Sequence, residues 1–92
     1  MSQDYGQAVY WYRQAAERGN APAQFRLALC FEEGQGISQD YTQAAYWYRQ
    51  AAERGDAWAQ FNLAICYAKG QGVSQDYGQA FFWYRQAAEQ GD

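Results

Sequence analysis

The stretch SQDYTQAAYWYRQAAERG, residues 38–55, decides how the rest of the chain is read. Its first four residues recur at 2–5 and 74–77, and its WYRQAAE segment recurs at 11–17 and 83–89, a constant period of 36. Residues 2–37 and 38–73 differ at ten positions, and 74–92 supply half of a further copy. A fixed period of this size marks a stacked architecture, in which each unit is one supersecondary element that buries its apolar face against its neighbours. The chain is accordingly expected to be one repeat domain over 1–92, with units 2–37 and 38–73, a half unit 74–92 and no separate linker.

Inside the quoted stretch Ala44, Trp47, Tyr48 and Ala51 stand at i, i+3, i+4 and i+7, one apolar stripe of a helix. Asp40 is placed to cap it, Gln43 follows three residues later as in a capping box, and Gly55 marks its end. Asp4 with Gly19 and Asp76 with Gly91 frame equivalent helices. A second kind of helix runs from a cap at Asn20 or Asp56 to Gly34 or Gly70, with the stripes Gln24, Leu27, Ala28, Phe31 and Gln60, Leu63, Ala64, Tyr67. Pro22 falls in a first turn, where its missing N–H costs nothing. Gly34-Gln35-Gly36 and Gly70-Gln71-Gly72 turn the chain into the next copy. No alternating strand pattern appears, so five helices are expected at about 5–18, 21–33, 41–54, 57–69 and 77–90. Short connections make neighbours antiparallel. Ala28, Ala51, Ala52 and Ala64 allow close approach, and Trp47, Tyr48 and Phe61 are expected to fill the space between hairpins. The expected fold is all-α, a right-handed α/α solenoid of antiparallel helical hairpins.

Composition narrows the function. Seven basic and ten acidic side chains give a net charge of −3, without the electrostatic footprint of a nucleic-acid or anionic-membrane binder. The 92 residues contain no histidine, which removes His-based acid–base catalysis, Ser-His and Cys-His nucleophile pairs, and most zinc and haem sites. Met1-Ser2-Gln3-Asp4 lacks the basic and apolar regions of a signal peptide, so the expected location is cytoplasmic as the chain stands. A longer parent would leave a periplasmic or secreted location open.

The run Ala57-x-Ala59-Gln60-x-x-Leu63-Ala64-x-x-Tyr67-x-x-Gly70-x-Gly72-Val73-x-x-Asp76-Tyr77-x-x-Ala80-x-x-Trp83-Tyr84-x-x-Ala87-Ala88-x-x-Gly91 resembles the Sel-one-like repeat (SLR), and Ala21 to Gly55 does so as well. Ala28 and Ala64 depart from it, standing where that family usually has glycine. The 36-residue period and the Gly-x-Gly-Val/Ile turn separate it from the 34-residue tetratricopeptide repeat. The resemblance implies a scaffold or adaptor that binds another protein or peptide, in a family found in bacterial envelope and signalling proteins and in eukaryotic quality-control complexes. It also implies that the helices at 21–33 and 57–69 line the concave face.

Cys30 and Cys66 share one repeat position. Stacked helices lie about 8–10 Å apart, beyond the roughly 7 Å that a disulfide spans between Cα atoms, so both read as small buried hydrophobes. The Gly-x-Gly pairs end a helix and do not open one, so they are turns and not phosphate loops. Asp4, Asp40 and Asp76 are caps, and Glu17, Glu53 and Glu89 belong to a solvated face. No catalytic, cofactor or metal residue is therefore assigned, and no cofactor is expected.

Positions that differ between copies are free of the fold's demands. Among the second-type helices these include Pro22/Trp58, Arg26/Asn62, Leu29/Ile65, Glu32/Ala68 and Glu33/Lys69. Positions 22, 26, 29 and 33 form one stripe. The expected partner-binding face is Arg26, Leu29, Glu33, Trp58, Asn62, Ile65 and Lys69, with Trp58 foremost because its counterpart is a proline. Two other readings stand beside a binding scaffold. One is a self-assembling element, or a fragment of a longer array, stacking end to end through Tyr5, Val9 and Tyr12 at one end and Tyr77, Phe81 and Tyr84 at the other. The remote one is a hydrolase or small-ligand protein, which needs a deep pocket with convergent polar groups.

Overall fold

The structure, a computed structural model, describes residues 4–91; the Ser2-Gln3 start of the first copy lies outside the described residues. Five helices follow one another: α1 Tyr5–Glu17, α2 Ala21–Glu33, α3 Tyr41–Glu53, α4 Ala57–Lys69 and α5 Tyr77–Gly91. Each packs on its neighbours in sequence, giving an elongated all-α stack of 40 × 25 × 24 Å. Contact is more extensive within α2–α3 and α4–α5 than within α1–α2 or α3–α4, so the hairpins are α2–α3 and α4–α5. α1 holds the same repeat position as α3 and α5, the second helices of those hairpins.

Caps define every helix start. Asp4, Asn20, Asp40, Asp56 and Asp76 each accept, through Oδ1, the backbone N–H three residues on, at 2.9–3.1 Å. Gln43 does not complete a capping box. The N–H it would receive, that of Asp40, donates instead to the Phe31 carbonyl of α2 at 2.9 Å, and Asp76 repeats this with Tyr67. The caps thereby tie each second helix to the first helix of its own hairpin. Connections between hairpins are shorter still. Gly19 and Asn20 bond back to Ala16 and Ala15, and Gly55 and Asp56 to Ala52 and Ala51, two Schellman closures. Asn20 and Asp56 therefore close one helix and cap the next.

Alanine lets the stack approach closely. Ala28, Ala51, Ala59 and Ala64 are fully buried beside Leu27, Leu63 and Tyr48. Tyr48 is enclosed between units and Trp47 is half-buried, but Phe61 does not fill the inter-hairpin space as expected. Its counterpart Phe25 is half-buried against Tyr48, ring centroids 6.0 Å apart. Phe61 meets Tyr84, ring centroids 5.5 Å apart, and stays exposed. Cations add to the packing on the same repeat rule: Arg13 lies over Phe31 and Arg49 over Tyr67, at 5.9 and 5.6 Å from the ring centroids.

The tightest approach is backbone on backbone. Gly36 and Gly72 sit at φ +76, and a Cβ on either would fall on the carbonyl oxygen of Tyr5 or Tyr41 in the preceding unit. Gly55 has φ +99 with nothing within 4 Å of its Cβ position. Gly55→Ala should therefore cost only the left-handed backbone penalty, about 1–2 kcal/mol, whereas Gly72→Ala should cost about 3 kcal/mol or more by prising two units apart. Urea midpoints of the two variants at unchanged slope check this; equal losses would show that the close approach carries no energy.

Candidate interaction surface

Two depressions lie between α2 and α4. The larger, about 570 Å³, is lined by Pro22, Phe25, Arg26, Asp56 and Trp58. Trp58 is 70 % exposed at its rim. The smaller, about 180 Å³ and more enclosed, is lined by Glu32, Asn62, Ile65, Cys66, Lys69 and Gln71. Five of the seven expected face residues thus reach the two depressions: Arg26 and Trp58 in one, Asn62, Ile65 and Lys69 in the other. Leu29 is half-buried against the core and Glu33 is exposed, and neither lines these two spaces.

Glu32 is the residue the stripe missed. It appears among the differing positions, paired with Ala68, but lies off the line of 22, 26, 29 and 33. The fold turns it towards α3, where its Oε1 accepts the Tyr48 hydroxyl at 2.7 Å. Burial, and then the hydrogen bond to that carboxylate, hold the Tyr48 hydroxyl far above the usual tyrosine range. Helical spacing along α2 alone carries no signal for this bond, because its partner is sixteen residues away.

Both cysteines are free and buried. Burial first, and the Glu32 carboxylate second, push the Cys66 thiol up to about 11. Burial, then Glu33, also raise the Cys30 thiol, against the pull of Arg26. Neither is set up as a nucleophile, since the thiolate is the reactive form. Among the described residues no group of three or more His, Cys, Asp or Glu side chains comes together. No helix there is long and apolar enough to cross a membrane.

The expected end-stacking residues divide unequally. On α5, Tyr77 and Phe81 are 70 % and 67 % exposed, and Tyr84 is partly exposed against Phe61. On α1, Tyr5 is exposed, Tyr12 is half-buried and Val9 is buried at 7 %, so Val9 is not available for stacking. The reason is geometric. Positions 5, 9 and 12 are the counterparts of 77, 81 and 84, and every unit has one leading and one trailing face. The face that stands open at the C-terminal end is covered at the N-terminal end by α2 and the Gly36 turn. The rings most open on α1 are on its other side, with Trp11 65 % exposed beside Tyr10.

A family model described as the Sel1 repeat matches residues 1–20, 21–56 and 59–92. Its windows follow the hairpins α2–α3 and α4–α5, half a repeat out of step with units counted from Ser2. Among solved structures, a protective antigen of uropathogenic Escherichia coli displaying an SLR fold is 43 % identical, with a TM-score of 0.95 over 98 % of this chain and 19 % of the antigen. A Sel1 repeat protein from Oxalobacter formigenes is 42 % identical, with a TM-score of 0.96 over 100 % of this chain and 38 % of that protein. This chain thus spans well under half of either. Cysteine-rich protein B of Helicobacter pylori, 23 % identical, shares the fold with a TM-score of 0.87 over 91 % of this chain and 63 % of its own. No curated protein matches the sequence significantly.

Stability should respond to the thiol environment with a definite sign. Unfolded cysteine titrates near 9.0, whereas folded Cys66 holds its proton to about 11. The stability this represents is complete below about pH 8 and is lost as pH rises from about 9 to 11. Urea midpoints should fall across that window. Cys66→Ala should make the fall shallower between pH 9 and 10, before Tyr48 contributes; an unchanged slope would rule out the raised thiol.

Proposed function

The chain belongs to the Sel1 repeat family, whose members typically act as protein-interaction scaffolds, and on that premise we propose that it binds a protein or peptide in the groove between α2 and α4, without catalysis. The observation that carries this reading is Trp58. It is the most exposed aromatic side chain on the two groove helices and lies beside Arg26 over a depression of about 570 Å³. The repeat does not require it, since the same position in α2 is Pro22. Tryptophan and arginine are the residue types most enriched among those that dominate binding energy. The neighbouring depression offers Lys69 and Asn62 beside Glu32, so a partner crossing the groove meets an aromatic and cationic end and then a mixed polar end. The absence of histidine and the raised, buried thiols of Cys30 and Cys66 support a role without chemistry. The short groove, bounded by two helices, suits a few residues of a partner and modest affinity.

A second reading is favoured by the open face of α5, where Tyr77 and Phe81 stand exposed. The contact open to two copies is α5 against α5 about a two-fold axis. Sedimentation across a range of concentrations tests this: a dimer lost in Phe81→Glu supports it, and a monomer throughout removes it.

Peptides selected by display on the intact chain test the main proposal. Trp58→Ala should weaken the selected peptides about tenfold or more and leave far-UV helicity and unfolding free energy within about 0.5 kcal/mol of the parent. Peptides that bind the Trp58→Ala chain equally well would overturn the groove as the site. Loss of helicity together with binding would show that Trp58 serves the fold.

A further inference from the structure

Gln24 and Gln60 occupy one repeat position, and the two copies of their surroundings are not alike. Both donate through Nε2 to the helix before them, Gln24 to the Ala16 carbonyl at 3.0 Å and Gln60 to that of Ala52 at 3.1 Å. The Oε1 of Gln60 also accepts Nε2 of Gln90 at 2.8 Å. The Oε1 of Gln24 accepts nothing, although the side chain is only 3 % exposed. The residue standing one repeat before Gln90 is Arg54. Its guanidinium rests over Gly19, where a Cβ would come within 2.7 Å of Nη2, and it makes no hydrogen bond or ion pair among the described residues. Around it lies an open depression of about 320 Å³, whose lining includes Glu17, Arg18, Gln24, Trp47, Gln50 and Arg54. Trp47 is half-buried there, whereas its counterpart Trp83 in the second unit is buried.

Arginine at 18 and 54, where the last copy has Gln90, therefore leaves the buried Gln24 acceptor without a donor and places the free Arg54 guanidinium beside it. A buried acceptor is costly to leave unpaired, so the space calls for an N–H or O–H. Two guanidiniums, those of Arg18 and Arg54, call for a planar anion, which outweighs the single carboxylate of Glu17. Trp47 offers an apolar wall. We propose that this depression binds the C-terminal residue of a peptide: its carboxylate pairs with Arg54 and Arg18, its amide N–H donates to Gln24 Oε1, and its side chain packs on Trp47. The terminal residue is the one part of a peptide that carries an amide N–H, a carboxylate and a side chain on the same carbon. Aspartate and glutamate side chains place their carboxylates farther from an N–H, and an N-terminal amine brings a cation to a cationic site. Arg54, held by no partner, is the group that swings to admit the ligand. The site lies on α1, α2 and α3 and shares no residue with the two depressions between α2 and α4, so it stands or falls independently of binding there.

Nuclear magnetic resonance of the 15N-labelled chain tests it with three small probes: N-acetylphenylalanine, its C-terminal amide, and N-acetyl-N-methylphenylalanine. The acid should move the Gly19 amide, the Gln24 side-chain amide and the Arg54 Nε–H signals in a saturable way and leave the Trp58 indole unmoved. The neutral amide should leave these signals in place, and the N-methyl acid should bind about tenfold more weakly. Arg54→Gln recreates the arrangement of Gln90. It should fill the Gln24 acceptor, keep or raise the melting temperature, and weaken the acid about tenfold or more. Equal shifts from acid and amide, no saturable shift from the acid, or full affinity in a folded Arg54→Gln chain would each overturn the proposal.

Discussion

Everything in this stack depends on two glycine turns touching the backbone of the unit before them. Gly36 against the Tyr5 carbonyl and Gly72 against that of Tyr41 fix how far one hairpin stands from the last. At that separation Ala28, Ala51 and Ala64 are fully buried, in an interior packed closely enough that added volume is felt. The rings pack around these alanines: Tyr48, fully buried, meets Phe25 within its hairpin, and Arg13 and Arg49 cover Phe31 and Tyr67 of the hairpin that follows. The 20 % aromatic content is this packing repeated, since Tyr5, Trp11 and Tyr12 recur at 41, 47 and 48 and again at 77, 83 and 84.

The chain's own repetition makes its fold largely legible. The period, the five helices, their caps and the buried alanine stripe all follow from comparing the chain with itself. Phase does not. A period of 36 is the same wherever counting starts, and packing decides that α2 pairs with α3. Direction is also hidden, because the sequence of one unit does not say which of its faces leads. Val9 and Phe81 are therefore equivalent in the pattern but opposite in exposure, 7 % against 67 %. Gln43 illustrates a third gap: a local capping rule is overridden when the Asp40 N–H finds a better-placed carbonyl across the hairpin, at Phe31.

Much of the candidate surface was legible for a different reason. Where units agree, the fold is being served; where they disagree, a residue has been released from that service. This logic singles out Trp58 and Arg26, and both border the groove. It is blind to Glu32, which differs between units yet is bonded to Tyr48 across helices. It also passes over Arg54, because the contrast with Gln90 involves the half copy and becomes meaningful only when the shared partner position, Gln24 and Gln60, is seen.

Asn20 and Asp56 each close one helix and open the next with a single residue. No slack remains at those joints, so an inserted residue there breaks a closure and a cap together. The segment from Gln35 to Gln39 is tied down in another way, by Gly36 against the Tyr5 carbonyl and by Gln39 Nε2, which donates to the Glu32 carbonyl at 2.8 Å. Neither kind of joint has length to spare: one holds successive helices end to end, the other holds a hairpin against the backbone of the last, and the pitch of the screw is written into both.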